Sequence, residues 1–150
     1  VVVVAGAGTV AGLAHRLDDV AREVGVRPRP RAVAADDALI AEVARAQNVL
    51  LSQVEAVAAR HAGLADGLKP FQQIAQAQVK AVGGADAGRR APSGDADSAG
   101  AVTALSNAYA AASTARAEDS GRAVSPDLAR VLASMSAGLA QCAHTVRDLR

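Results

Sequence analysis

The sequence predicts an all-α fold, an antiparallel four-helix bundle with a long connection between its second and third helices. Apolar residues recur at steps of three and four in several separate segments, which is the spacing of one face of a helix. No convincing strand follows Ala35. The apolar side chains are mostly Ala, Val and Leu, with one Phe and one Tyr, and small side chains let helices approach closely.

Composition limits the function classes. With 150 residues, of which 51% are hydrophobic, the chain is long enough for one domain with a real core. The net charge is +1 and basic residues are scattered among acidic ones, whereas nucleic-acid binding needs a basic face and aromatic side chains for base stacking. We therefore expect no nucleic-acid partner. Cys142 is the only cysteine, so an intrachain disulfide is excluded. A single cysteine does not indicate whether the protein works in a reducing or an oxidising compartment.

The apolar N-terminal stretch, residues 1–14, supports several interpretations. Residues 6–11 (GAGTVA) follow a valine run and match the dinucleotide fingerprint G-x-G-x-x-A, in which glycines let the backbone approach a pyrophosphate. A dinucleotide-binding domain would need strands alternating with helices, and these are missing after Ala35. The stretch also resembles the apolar core of a secretory signal, whose basic region would lie upstream. A first helix or strand packed on the bundle is the remaining interpretation.

A polar segment then leads to the bundle. Residues 27–31 (RPRPR) alternate proline with arginine, which favours an extended tether; its arginines could instead touch anionic lipid headgroups. We predict that residues 1–35 form an apolar N-terminal segment and an Arg/Pro linker. Residues 36–150 are then the bundle.

The first predicted helix begins with Asp36 as N-cap, because a short carboxylate accepts hydrogen bonds from the free N–H groups of a first turn. Gly63 is predicted to end it. Its apolar stripe is Leu39, Val43, Ala46, Leu50, Val54 and Val57, widened by Ile40 and Leu51.

The second helix is predicted from about Leu64 to Val82, with Pro70 kinking or restarting it near Lys69. Gly83 and Gly84 mark its end. Residues 83–97 are rich in Gly, Asp, Ser and Arg and form a linker. About fifteen extended residues reach roughly 45 Å, and a helix of about eighteen residues is roughly 27 Å long. The linker can cross the bundle, so that the third helix can run parallel to the second.

The third helix is predicted at about Ser98–Ser120, with Tyr109 as a core aromatic whose hydroxyl lies at the rim. The fourth helix opens with Ser125 as N-cap and Pro126 at its first position. The third helix has an apolar face of Val102, Leu105, Tyr109 and Ala112, and the stripe of the fourth is Leu128, Val131, Leu132, Met135, Leu139, Cys142, Val146 and Leu149.

The two predicted hairpins resemble one another. The pattern L-A-x-x-L begins at Leu64 and again at Leu128, 64 residues later. A duplicated helical hairpin with a long middle linker is the plan of the ferritin-like bundle. Residues 41–82, together with residues 125–149, resemble an actinobacterial ferritin-like domain family of unknown function that occurs in predicted lipoproteins. The resemblance covers about residues 36–149 and implies a ferritin-like fold and export to the cell envelope; a cytoplasmic location is the alternative.

This sequence departs from the family pattern at positions that bear on function. The family tends to have histidines near the ends of its second and fourth helices, where this chain has Gln78 and Cys142. A lipid-modified cysteine would be expected near Ala14, and none is present there. This departure leaves lipid anchoring open, and membrane contact would depend on an N-terminal signal or anchor.

Candidate metal ligands are few. A di-iron bundle site needs a Glu from each of two helices and Glu-x-x-His from the other two, but the predicted helices have almost no carboxylates in their middle layers. Glu55, His61 and His144 could at best form a partial site, so we expect no metal and no cofactor. Cys142 and His144 lie two residues apart on one helix and point to different sides, so they cannot act as nucleophile and base.

Three functional hypotheses follow. The first is a non-catalytic ferritin-like bundle, exported or associated with the envelope, that binds an unknown protein partner or associates with itself, for example as a homodimer. The second is a metal-binding or redox relative of ferritin with an atypical ligand set, which requires Glu55, His61 or His144 to converge. The third is a secreted helical adaptor of another family, with its helices arranged up-down-up-down.

Overall fold

The computed structural model describes the backbone of residues 30–83 and 97–149, and the side chains of residues 35–83 and 97–149. This part of the chain is helical and contains no strand, so the predicted all-α fold is confirmed. The predictions for residues 1–29 lie outside the described residues. The elements are α1 (Pro30–Arg60), α2 (Ala62–Ala81), α3 (Ser98–Arg122), α4 (Pro126–Thr145) and a terminal 3-10 helix (Val146–Leu149).

Helix α1 begins before the predicted cap. It starts at Pro30, which suits a first helical turn because proline has no N–H to satisfy there. The prediction of Asp36 as N-cap is wrong: the Asp36 carboxylate accepts hydrogen bonds from the backbone N–H groups of Val124 and Ser125, both at 2.9 Å. Asp36 therefore fastens α1 to the connection between α3 and α4.

The junction between α1 and α2 is a single residue. Helix α1 ends at Arg60, and His61 breaks the helical path with φ −118° and ψ 86°. Gly63 lies in the first turn of α2, so its predicted role as the end of α1 is wrong. A Cβ at Gly63 would meet no atom within 4 Å, and the turn therefore does not depend on glycine.

Helix α2 continues through Pro70 without restarting. The restart, one of the two predicted effects of Pro70, does not occur, because Lys69 and Pro70 are exposed and water can satisfy the carbonyl that loses its partner at the proline. The other predicted effect, a kink near Lys69, stays a prediction. The predicted glycine end is confirmed. Gly83 has a φ of 67°, which favours glycine at the end of a helix, and its N–H donates to the Lys80 carbonyl at 3.1 Å.

Side-chain caps start the second pair of helices. Asp97 Oδ1 accepts from the Gly100 N–H at 2.7 Å and starts α3. The predicted cap of α4 is confirmed, with Ser125 Oγ accepting from the Leu128 N–H at 3.5 Å and Pro126 in the first position.

The core consists of two main groups of buried apolar side chains. We call them the basal cluster, which draws on all four helices, and the apical cluster, which lies where α1 and α4 begin. The basal cluster is Leu50, Val54, Leu64, Leu68, Phe71, Val102, Leu105, Tyr109, Leu139, Cys142, Ala143 and Val146. The apical cluster is Leu39, Val43, Val82, Leu128, Leu132 and Met135.

The predicted stripes account for most of these side chains. The stripe of α4 lies in the two clusters, with Val131 and Leu149 partly buried at their edges. On α1, Ala46 is exposed and Gln47 is buried in its place. Gln47 takes the inward position because it lies four residues after Val43 and three before Leu50, which keeps the step of the stripe.

Contacts near the ends of the helices show which helix ends lie next to each other. Val82, after the end of α2, lies in the apical cluster with Leu128 at the start of α4. A Cβ on Gly67, near the start of α2, would come within 2.7 Å of the side chain of Leu149, after the end of α4. At the apical end of α1 and α3, Glu42 of α1 contacts Arg122 at the end of α3, with 3.1 Å between Glu42 Oε2 and Arg122 Nη2.

Candidate functional site

The predicted metal candidates do not form a cluster. Glu55 is half-buried on α1, His61 is the junction residue between α1 and α2, and His144 is exposed near the end of α4. Throughout residues 35–83 and 97–149, no three His, Cys, Asp or Glu side chains are placed to hold a metal ion together. His61 Nε2 is buried and makes no hydrogen bond within this part of the chain.

Cys142 lies in the basal cluster, as predicted, and 5% of it is exposed. Burial raises the pKa of its thiol, because a thiolate is poorly solvated there. His144 is exposed on the same helix. The two side chains therefore have different environments, and the thiol has the properties of a small hydrophobic group.

Tyr109 differs from its prediction. Its side chain is fully buried, and its hydroxyl, predicted at the rim, is an interior group with no hydrogen-bond partner among the described residues. Its ring lies 5.9 Å from that of Phe71, centroid to centroid. Burial, with a smaller contribution from Cys142, raises the pKa of Tyr109.

A polar layer separates the two apolar clusters. We define it as Gln47, Gln78, Arg116 and Asp119. On α1, Gln47 lies between Val43 of the apical cluster and Leu50 of the basal cluster. Gln47 Nε2 donates to Gln78 Oε1 at 2.9 Å and so joins α1 to α2. Gln78 is the position at which the family resemblance led us to expect histidine.

The charged half of the layer lies on α3. Arg116 and Asp119 are each only 4% exposed. Arg116 Nε donates to Asp119 Oδ2 at 2.9 Å, and Arg116 Nη2 lies 2.6 Å from the same oxygen. The other carboxylate oxygen accepts from Arg122 Nη1 at 2.9 Å. Two guanidinium groups therefore share one buried carboxylate.

Sequence reasoning missed the buried pair, although a signal was available. The apolar face predicted for α3 ends at Ala112, but steps of four and three from that residue reach Arg116 and Asp119. An Arg and an Asp three residues apart on the inward face of a helix can pair with each other. That pairing is what allows both charges to be buried.

Serines join α3 to α4 beside the layer. Ser113 Oγ donates to the Ser136 carbonyl at 2.9 Å, and Ser136 Oγ donates to the Ser113 carbonyl at 2.8 Å. Nearer the basal end, Ser106 Oγ donates to the Ala143 carbonyl at 2.8 Å and accepts from Arg147 Nε at 2.7 Å. These short side chains bring the two helix backbones close together.

The chemistry of the layer follows from its charges. Arg116 places a guanidinium cation in the layer, and this charge repels a metal cation. The Asp119 carboxylate, the only acidic group of the layer, already accepts hydrogen bonds from two arginines. The layer is therefore better suited to a carbonyl or hydroxyl group than to a divalent ion.

Comparison of the chain with protein-family models, curated proteins and solved structures gives no match. Within the described ranges, none of the helices is both long enough and apolar enough to span a lipid bilayer.

Proposed function

We propose that the chain is a ferritin-like bundle with an up-down-down-up arrangement of its helices. Four residue pairs support this proposal. Val82 with Leu128 and Gly67 with Leu149 align α2 and α4 in opposite directions. The hydrogen bonds from Ser106 to the Ala143 carbonyl and from Ser113 to the Ser136 carbonyl do the same for α3 and α4. Helices α2 and α3 are then parallel, which requires the long connection between them and disfavours the up-down-up-down adaptor.

Spin labels test this arrangement in a Cys142→Ala background. One label replaces exposed Asp66 near the start of α2, and the second replaces either Thr103 near the start of α3 or Glu118 near its end. Parallel helices give the shorter distance with position 103. A shorter distance with position 118 would contradict the proposal.

For the function, we propose a binding or self-association module rather than an enzyme. The main support for this proposal is the buried ion pair between Arg116 and Asp119. It puts a fixed cation in the interior, where ferritin-like di-iron proteins place metal-binding carboxylates. The family resemblance adds an envelope-associated location to this proposal.

Large exposed apolar side chains are the candidate contacts for a partner. Among the described residues these are Val49 on α1, Ile74 on α2 and Val124 between α3 and α4, and their exposure is 57%, 40% and 54%. Burying such side chains against a second protein would favour association by about 25 cal/mol for each Å² of apolar surface. The partner is an unknown protein or a second copy of the chain.

Light scattering coupled to size exclusion tests self-association. We expect the chain to show a concentration-dependent increase in mass that Val49→Lys or Ile74→Lys weakens. Gln73→Lys is the matched control, because Gln73 is exposed beside Ile74. This substitution adds the same charge without removing an apolar group. A monomeric mass at every concentration would leave a different protein as the only possible partner.

Metal binding with an atypical ligand set is the second candidate, and His61 favours it, since its buried Nε2 has no partner in the described part of the chain. Elemental mass spectrometry on protein purified without a His-tag, then offered iron, manganese and zinc, tests this function. The non-catalytic proposal expects no near-stoichiometric retention. Retention that His61→Ala abolishes and His144→Ala leaves unchanged would overturn it.

A further inference from the structure

Two buried atoms of the polar layer have unmet hydrogen-bonding capacity. Arg116 Nη1 is a donor and Gln47 Oε1 is an acceptor, and neither has a partner among the described residues. The exposure of the two residues is 4% and 1%. Leaving such a group without a partner costs about 1–3 kcal/mol, and more for a charged one. Each atom therefore requires a polar group that the described side chains do not supply.

The two atoms belong to the same level of the bundle. The contact between Glu42 and Arg122 sets the register of α1 against α3. Gln47 lies five residues after Glu42 and Arg116 lies six before Arg122. At about 1.5 Å per residue, both lie about 8–9 Å below that contact. Both positions also continue the inward stripes of their helices.

Charge limits what the layer can accept. Asp119 balances Arg116 inside the bundle, and Arg122 with Glu42 completes a network of two cations and two anions. A charged guest would leave the buried part of this network unbalanced, which is costly in a medium of low dielectric constant. An uncharged guest preserves the balance.

We propose that the polar layer is an internal binding site for a small uncharged molecule in which a carbonyl oxygen adjoins an N–H or O–H group. Primary amides and protonated carboxylic acids belong to this class. The carbonyl accepts from Arg116 Nη1, and the N–H or O–H donates to Gln47 Oε1. The proposal is independent of the surface association described above, because none of its residues is a large exposed apolar side chain.

The wall of α4 at this level provides a steric test. A Cβ on Gly138 would lie 3.9 Å from Gln78 Nε2 and closer to no other atom outside its own helix. Gly138→Ala therefore fits at ordinary contact distance. Gly138→Leu would extend a larger side chain against Gln78, where a bound molecule would have to lie.

Acetamide is the probe, and two-dimensional NMR of the intact chain is the measurement. We expect saturable shifts of the Gln47 and Gln78 side-chain amides and of the Arg116 N–H signals. Gln47→Met keeps the length of the side chain and removes the acceptor, and we expect at least tenfold weaker binding. Gly138→Leu is expected to block binding, whereas Gly138→Ala retains it.

Acetone is the control ligand, because it has the carbonyl and lacks the N–H. Equal binding of acetone and acetamide, or acetamide binding that survives Gln47→Met, would overturn the proposal. So would a high-resolution structure in which acetamide is present in excess and the layer contains an ordered water only. Since Gln47→Met and Gly138→Leu alter different helices, misfolding of one leaves the other as a test.

Discussion

The two helical hairpins are held together by different chemistry. Between α1 and α2 the hinge is the single residue His61, and Leu51, Ala75 and Val79 form a small apolar cluster of their own. Between α3 and α4 the connection is capped by Ser125 and fastened by Asp36. Serine hydroxyls there donate to carbonyls of the facing helix.

This difference shows how a helix with a weak apolar face is held in a bundle. Helix α3 buries a charged pair and Ser106, which is 1% exposed, and half-buries Ser113 at its border with α4. Each hydrogen bond to a facing carbonyl offsets the cost of burying its hydroxyl. We therefore expect that replacing polar side chains by apolar ones lowers the stability of the chain more in the α3–α4 hairpin than in the α1–α2 hairpin.

The largest expected effect is at the buried ion pair. Asp119→Leu leaves the Arg116 charge in the interior without its counterion, and we expect a loss of about 3–5 kcal/mol in the free energy of unfolding. Urea denaturation measures the loss. Glu118→Leu is the matched control, since Glu118 is exposed and should change stability little.

A double variant sharpens this prediction. Arg116→Met together with Asp119→Leu removes both charges, and replacement of a buried pair by apolar groups is often close to neutral. Most of the stability should return. A double variant as unstable as Asp119→Leu would show that the charge itself is not the cause.

The next largest loss of stability is expected at Asp36, which fastens α1 to the connection between α3 and α4. Asp36→Ala removes the acceptor of two backbone N–H groups, and we expect a loss of about 1–2 kcal/mol, as for the loss of a helix cap. Hydrogen exchange of the Val124 and Ser125 amides should accelerate. Asp37→Ala alters an exposed neighbour, and equal effects of the two substitutions would contradict this role of Asp36.

The serine contacts should have a smaller effect. Ser113→Ala removes one hydrogen bond between α3 and α4, at a cost of about 1 kcal/mol. Ser52→Ala is the comparison in the first hairpin, because its hydroxyl donates within α1, to the Asn48 carbonyl at 2.8 Å. Each of the two hydroxyls donates to a backbone carbonyl that alanine keeps, so the losses from Ser113→Ala and Ser136→Ala should add. A Ser113→Ala loss no larger than that of Ser52→Ala would contradict this role of the serine contacts.

The smallest effect concerns pH. Burial raises the pKa of Cys142 above its ordinary value of 9.0, so the folded chain keeps a proton that the unfolded chain loses. This contribution to stability is complete below pH 9 and is lost as the pH rises above it, by at most about 1.4 kcal/mol per unit. Between pH 8 and 10 the wild type should lose more stability than Cys142→Ala, and identical slopes would exclude this contribution.

Much of the fold could be predicted from local signals. The cap of α4 at Ser125, the end of α2 at Gly83 and the buried Cys142 follow from short sequence patterns. The start of α1 and the role of Gly63 could not be predicted in this way, because a capping residue and a glycine each have several possible uses. For Asp36 the use was decided by the backbone N–H groups of Val124 and Ser125, which lie far from it in the chain.

Less of the candidate site could be predicted from the sequence. Gln47, Arg116 and Asp119 occupy inward positions of the helical period, but polar side chains at such positions are ordinarily assigned to the surface. Their burial depends on partners from the same turn or from a facing helix. The scarcity of interior carboxylates, by contrast, was visible from the composition of the four segments.

The sequence by itself determined the helical class, the helix pairs and the apolar stripes, because these depend on residue spacing and on local backbone preferences. Only the tertiary structure decided that Asp36 fastens α1 to the connection between α3 and α4, that His61 is the hinge and that Arg116 is buried. These outcomes depend on which unsatisfied donors and charges meet after the helices have packed, and the partners lie far apart in the chain. Burial without a partner is costly, so packing favours arrangements in which buried polar groups find partners.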